Sequence, residues 1–388
     1  MRGISRLLFL TVLLTWASAA LAVEYTFTKI ADNTSGRLAG HGLGNATINA
    51  TGTVAFQASA PSSSGIFIGN GGPITTIADE ISLFISGLGV PVINDNGVVA
   101  FIGFLGAGGD VGIFTGSGGP ITTIVDTTGP FSFGQFPAIN NSGTVAFTAL
   151  HETLGPGVFT GSGGPITTIV DESGDFTAIR GNPAINNLGT VAFFANRLGV
   201  QGVFATSGGD PITIADTSGP FVGFGGGKIS INDDGTVAFG GDLSFANQAI
   251  GFGNGGSPTI LTDTLGPFLN FDLFPSINSA NTVMFEAFLD AGGSGIFTGP
   301  DPVGDKVIQT GDPLLGSTVA IIDFISGGLN DNGQIAFSAQ LADGTKVIVR
   351  ADPVVEFTIY AVDRSTDELI TLTPNPVVSG GELLERTS

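Results

Sequence analysis

The stretch Ile139-Asn140-Asn141-Ser142-Gly143-Thr144-Val145-Ala146-Phe147 recurs in close variants from one end of the chain to the other. Its copies run from 48 to 56, 93 to 101, 139 to 147, 185 to 193, 231 to 239, 277 to 285 and 329 to 337. The anchoring asparagines are Asn49, Asn94, Asn140, Asn186, Asn232, Asn278 and Asn330, so successive spacings are 45, 46, 46, 46, 46 and 52. A fixed period of this size marks a repeat architecture, in which each unit buries its apolar face only against its neighbours.

Within the third unit an apolar run ends at Ile139 and the Asn140 to Gly143 turn follows. Then come a β-rich run from 144 to 149, the loop His151 to Pro156, the run Gly157-Val158-Phe159-Thr160-Gly161, a Ser-Gly-Gly turn, and Ile166 to Asp171. Two hairpins with Gly, Asn and Pro turn chemistry give four short antiparallel strands per unit. Four strands in about 46 residues is the size of a propeller blade, and a β-solenoid is the competing architecture.

The chain ends favour the propeller. Six units carry their own fourth strand, but the last has none after Lys346 to Val349, and a spare copy, Phe27 to Asp32, precedes the first Asn turn. An N-terminal strand that completes the last blade closes a ring and removes the exposed edges of an open array. The expectation is an all-β, seven-bladed propeller over residues 23–352, closed by Phe27 to Asp32 pairing with Lys346 to Arg350. Residues 353–388 form a C-terminal extension outside the repeat.

The 62 glycines and 31 phenylalanines suit tight turns and ring-filled sheet interfaces. With no cysteine, stability must come from that core rather than from disulfides. Residues 1–22 combine Arg2 and Arg6, an apolar run from 7 to 16, and the exit Ala20-Leu21-Ala22, the pattern of a secretory signal peptide. The run is too short to span a bilayer, and no later segment reaches the roughly 20 apolar residues required. A secreted or cell-surface location is therefore expected, with no transmembrane segment after cleavage. The formal net charge of −21 becomes −23 once Arg2 and Arg6 leave. That balance excludes a nucleic-acid partner, which needs clustered Lys and Arg.

The Asn-x-x-Gly-x-Val-Ala-Phe signature resembles a group of exported bacterial proteins with tandem repeats of this pattern and variable types of C-terminal anchor. The resemblance covers roughly Phe27 to Asp352. The sixth copy departs from it, with Asn281 for Gly and Met284 for Ala. It implies export, and it transfers no activity.

For the repeated residues the turn is a sufficient cause: Asn fixes the turn through its side chain and Gly supplies a positive φ. The aspartate ending each fourth strand (Asp32, Asp79, Asp126, Asp171, Asp216, Asp263 and, offset, Asp312) is expected to cap the next turn. Residues that do not repeat are better candidates for a binding site. His151, Glu152, Arg197, Asp242, Asp290 and Asp343 fall in the expected loops between second and third strands, at the ring mouth. With two histidines in separate units, a multi-histidine metal site is excluded. No cofactor is required. Calcium is the one cation the Asp-rich turns leave open, although an EF-hand's remaining ligands are absent. The sequence favours a monomeric, non-catalytic binding or structural module with an extracellular protein or glycan partner. A propeller hydrolase or lyase with a carboxylate site at the channel mouth is the alternative.

Overall fold

The Val-Ala-Phe runs form the starts of second strands, and their alternation builds the molecule. In the computed structural model, residues 23–59, 64–80, 84–86, 88–105, 110–133, 137–225, 227–354, 359–363 and 368–372 are described; the expected signal peptide at 1–22 lies outside them. Strand residues point alternately to opposite faces. Val145 and Phe147 therefore pack into one cluster with Phe131 and Phe159, while Ala146 turns to the cluster of the following repeat, against Val191 and Phe193. The same division holds for Ala55, Ala100, Ala192, Ala238 and Ala336, each seated in its neighbour's core. In the sixth copy Met284 takes the alanine's place, filling the core of the last repeat beside Phe337.

Seven antiparallel sheets of four or five strands result, one per repeat, so the chain is a seven-bladed β-propeller. The fourth blade is typical: Phe176–Ile185, Val191–Arg197, Val200–Thr206 and Ile212–Asp216 follow one another across the sheet. Besides a single 3-10 turn at Gly36–Leu38, no helix occurs among the described residues, and none there is long and apolar enough to cross a membrane.

Six of the blade cores hold edge-to-face rings, such as Phe176 with Phe193 and Phe204 at 5.5 and 5.1 Å, while Phe56 and Phe67 of the first blade stack at 5.8 Å. The Gly-Ile/Val-Phe motif of the third strands has its cause here. A Cβ on Gly157 would lie 2.8 Å from both the Phe159 ring and the Val170 carbonyl, so the ring folds back over a position only glycine fills.

The ring closes as the strand count requires. Tyr25–Asp32 pairs antiparallel with Lys346–Pro353, with Phe27 opposite Ala351 and Thr28 opposite Arg350, three residues beyond the expected Arg350 limit. In the sixth blade the fourth strand is shorter than expected, Lys306–Gln309, because Asp312 turns back to accept the Gln309 N–H at 3.0 Å. Beyond the ring, Ile359–Asp363 and Glu368–Leu372 pair as a separate two-stranded sheet.

Candidate functional site

The innermost strands surround a central channel, and the seven Asn turns crowd one of its mouths. Each turn asparagine is buried, and its side chain serves two blades. The Asn186 Oδ1 accepts the N–H groups of Leu188 and Thr190 at 3.1 and 2.8 Å, which fixes its own turn. Its Nδ2 donates to the Asn232 carbonyl of the next blade at 3.0 Å. The same bond runs from Asn49 to Asn94, Asn94 to Asn140, Asn140 to Asn186, Asn232 to Asn278 and Asn278 to Asn330. Asn330 closes the circle onto Asn49 at 2.8 Å. The asparagine is thus more than a turn former: its amide ties every blade to the next.

A second tier lies outside this ring, at the residue after each Asn. Asp95 accepts the Ala50 N–H and the Asn141 Nδ2, both at 2.7 Å. Asp233 accepts the Asn187 N–H at 2.9 Å and its Nδ2 at 3.0 Å, and Asp331 accepts the Ser279 N–H at 2.8 Å. These bonds fix the rim of a cavity of about 230 Å³. Its lining combines polar residues with the aliphatic residues that precede each Asn, among them Ile93, Ile185 and Ile231, which also pack into the blade cores.

The segment from Phe324 to Gly328 crosses beneath this cavity. Gly327 accepts the Ile48 N–H at 2.9 Å and donates to Ser276 Oγ at 2.7 Å, while Ser326 Oγ reaches the Ile229 carbonyl at 3.4 Å. Ser326, Asn182 and Lys228 line the inner end. Asn182 and Lys228 are bridged through their backbones, and both are buried. Burial lowers the Lys228 pKa to about 8, leaving its ammonium largely charged at neutral pH.

Three carboxyl groups gather where the sixth blade meets the seventh. Asp272 on the inner strand pairs across to Glu286 on the second strand, and Asp323 stands on the inner strand of the seventh blade. Burial, with like charge from Asp272 and Asp323, pushes the Glu286 carboxyl up to about 8, against the pull of a Phe324 N–H bond. Burial and Asp323 raise Asp272 to about 6. Burial raises Asp323 as well, although Ser338 and the Asn45 N–H donate to it. Among the described residues, no group of three or more His, Cys, Asp or Glu is placed to hold a metal ion.

The six candidates taken from the sequence are spread over five blades, with only His151 and Glu152 adjacent, and no side-chain hydrogen bond or ion pair joins any two of them. Three lie in strands rather than loops, because strand pairing runs further than the turn residues suggest. His151 ends Val145–His151, Arg197 ends Val191–Arg197 and Asp242 lies within Val237–Ser244. His151 stacks edge-on against Phe131 at 4.9 Å, and its Nδ1 accepts the Thr153 N–H at 3.3 Å. Arg197 lies over the Phe176 ring at 5.3 Å and donates to the Pro211 carbonyl at 3.1 Å. Burial raises the Asp242 pKa, and its backbone pairs with Gly223. Glu152 and Asp290 are exposed, each with its N–H on a proline carbonyl, Pro130 and Pro267. Exposed Asp343 accepts the Thr345 N–H, which lowers its pKa.

Five of the seven strand-ending aspartates cap the following turn, Asp32 among them, whereas Asp79 accepts from the Arg37 guanidinium at 2.6 Å and Asp312 accepts the Gln309 N–H behind it. Asp126, Asp171, Asp216 and Asp263 each accept the N–H two residues ahead, at 2.8 to 2.9 Å.

Lys228 and Glu286 lie outside the repeated motif and outside the six candidates, yet the copies set side by side expose both. Glu286 stands eight residues after its Asn, where the other copies carry Gln57, Ile102, Thr148, Phe194, Gly240 and Ser338. Lys228 breaks an otherwise uncharged approach to the fifth turn, Gly-Gly-Gly-Lys-Ile-Ser-Ile.

No curated protein matches the sequence. Among solved structures, an oligogalacturonate lyase from Vibrio parahaemolyticus is similar with a TM-score of 0.51 and 11% identity, over 89% of this chain and 100% of the lyase. A prolyl oligopeptidase B from Galerina marginata aligns with a TM-score of 0.48 and 8% identity, over 85% of this chain but only 54% of the peptidase. An uncharacterised protein from Listeria monocytogenes aligns with a TM-score of 0.40 and 11% identity, over 91% of this chain and 96% of that one. At such identities the likeness to the lyase concerns the fold alone. Residues 28–373 match the family of unknown function DUF7453, and the chain belongs to that family.

Proposed function

We propose that the protein is an exported propeller acting as a non-catalytic binding module, whose ligand enters the cavity on the Asn-turn face. One observation carries this reading: two tiers of inter-blade hydrogen bonds fix the rim of a cavity whose inner end is crossed by the Phe324 to Gly328 segment. A pre-formed concave site spends little free energy on ordering itself when ligand binds. At about 230 Å³ it suits a small ligand.

The test is thermal melting of the wild type and of Ser279→Trp, which places an indole at the rim, against a panel of small peptides, amino acids and sugars. A ligand at a hundred times its Kd stabilises by about 2.7 kcal/mol. The expected result is a compound that raises the wild-type Tm and leaves the variant unmoved. A panel without effect, or equal shifts in both proteins, would overturn the reading. Export is checked by N-terminal sequencing of the protein from the culture medium, which should begin at Val23.

The carboxyl trio favours a second reading, a hydrolase or lyase. A Glu286 still protonated at neutral pH beside Asp272 and Asp323 has the separation of proton affinities that acid catalysis uses. Turnover of a peptide or polysaccharide substrate that Glu286→Gln abolishes without loss of fold would establish it.

A further inference from the structure

The cavity on the turn face carries opposite charges at its two ends. Among its described lining residues Lys228 is the single cation, and it lies at the inner end beside Asn182 and Ser326. Asn182 and Lys228 each stand four residues before their repeat's Asn, roughly 13 Å of extended chain at about 3.3 Å per residue, while Ser326 belongs to the segment that crosses the cavity. The carboxylates of Asp95, Asp233 and Asp331 stand at the rim, one residue after the Asn. A simple anion entering the cavity passes three carboxylates. A simple cation ends against an ammonium. A ligand with a negative leading end and a positive trailing end meets both favourably.

We propose that the cavity binds a small zwitterion of dipeptide length, entering carboxylate first, so that its carboxylate meets Lys228 and its ammonium stays among Asp95, Asp233 and Asp331. This assignment rests on the binding reading above and names the ligand class. The strand length between the two charged levels, less the reach of the lysine side chain, matches two or three extended residues at about 3.3 to 3.6 Å each. The volume of about 230 Å³ lies below the roughly 300 to 1,000 Å³ of sites for larger molecules. Ile93, Ile185 and Ile231 pack into the blade cores and leave little free apolar surface in the lining, so a short residue such as alanine suits the space. The rim is held by its own hydrogen bonds before any ligand arrives, so the acidic tier has a fixed geometry to offer an ammonium.

Isothermal titration of the full chain with Ala-Ala, with its C-terminal amide and with its N-acetyl form tests the assignment. Lys228→Met and Ser279→Trp are titrated in parallel. Ala-Ala should bind the wild type and not Ser279→Trp. Amidation, or Lys228→Met, should weaken binding by tenfold or more, and N-acetylation by several-fold. The amide arm needs no variant, so it decides the role of the carboxylate whatever Lys228→Met does to folding. Absence of Ala-Ala binding, or affinity indifferent to both amidation and Lys228→Met, would overturn the zwitterion assignment. If another compound still stabilises the wild type and not Ser279→Trp, only the ligand class falls and the binding reading stands. If nothing does, both fall.

Discussion

A single asparagine in each repeat works in two directions, with Oδ1 organising its own turn and Nδ2 bonding the next blade. The half that faces inward was legible in the sequence, because Asx turns and glycines leave a local signature. The half that faces outward depends on a residue about 46 positions away, so no local pattern announces it. Asn281 shows how strict the local half is: it stands where the other copies carry Gly, and it adopts a φ of 60°, which Asn tolerates better than most residues. The two halves can be separated experimentally. Asn186→Asp keeps the acceptor for Leu188 and Thr190 but removes the donor to the Asn232 carbonyl, leaving a carboxylate against a carbonyl. The variant should lose about 1 to 3 kcal/mol in urea unfolding, and an unchanged midpoint would show that the inter-blade bond contributes nothing.

At the scale of elements, the strands follow period-2 alternation closely enough that Val-Ala-Phe assigns its own faces. What it did not assign was strand length, since His151, Arg197 and Asp242 extend pairing into the expected loops. The junction between the sixth and seventh blades carries a pH-dependent consequence. Glu286 titrates near 8 and Asp272 near 6 in the folded protein, both above their ordinary values. Between those ordinary values and the folded ones, the folded chain holds protons that the unfolded chain has released. Stability conferred by the neutral carboxyls is therefore full at acid pH and lost as pH rises toward about 8. Glu286→Gln keeps the shape without the titration. It should lose less stability than the wild type between pH 5 and 8.5, by on the order of 3 kcal/mol, because each tenfold change in proton affinity on folding is worth about 1.4 kcal/mol. Parallel stability curves for the two proteins across that range would rule this out.

At the scale of the whole molecule, Tyr25–Asp32 and Lys346–Pro353 share one blade, and their pairing closes the ring at its outer strands as the Asn330 to Asn49 bond does at its inner turns. Removing Val23 to Asp32 would leave Lys346–Pro353 as an unpaired edge and take Ile30 and Ala31 from the core they share with Phe56 and Phe67. Such a deletion should lower Tm by on the order of 10 °C, and a variant melting like the parent would mean that the strand does not close the ring. This much followed from counting strands, because a missing fourth strand at one end and a spare one at the other is arithmetic in the sequence. The repeat, the number of blades, the alternation that builds each core and the strand that closes the circle are all legible in the amino-acid order. All of these are local patterns or sums of them. The continuous hydrogen-bonded ring of asparagines, the meeting of Asp272, Glu286 and Asp323 across two blades, and the place of Lys228 in a cavity rimmed by Asp95, Asp233 and Asp331 emerge only when the chain is folded. Ring closure is the physical reason: it brings corresponding positions of different repeats to a common axis, where residues far apart in the chain become neighbours.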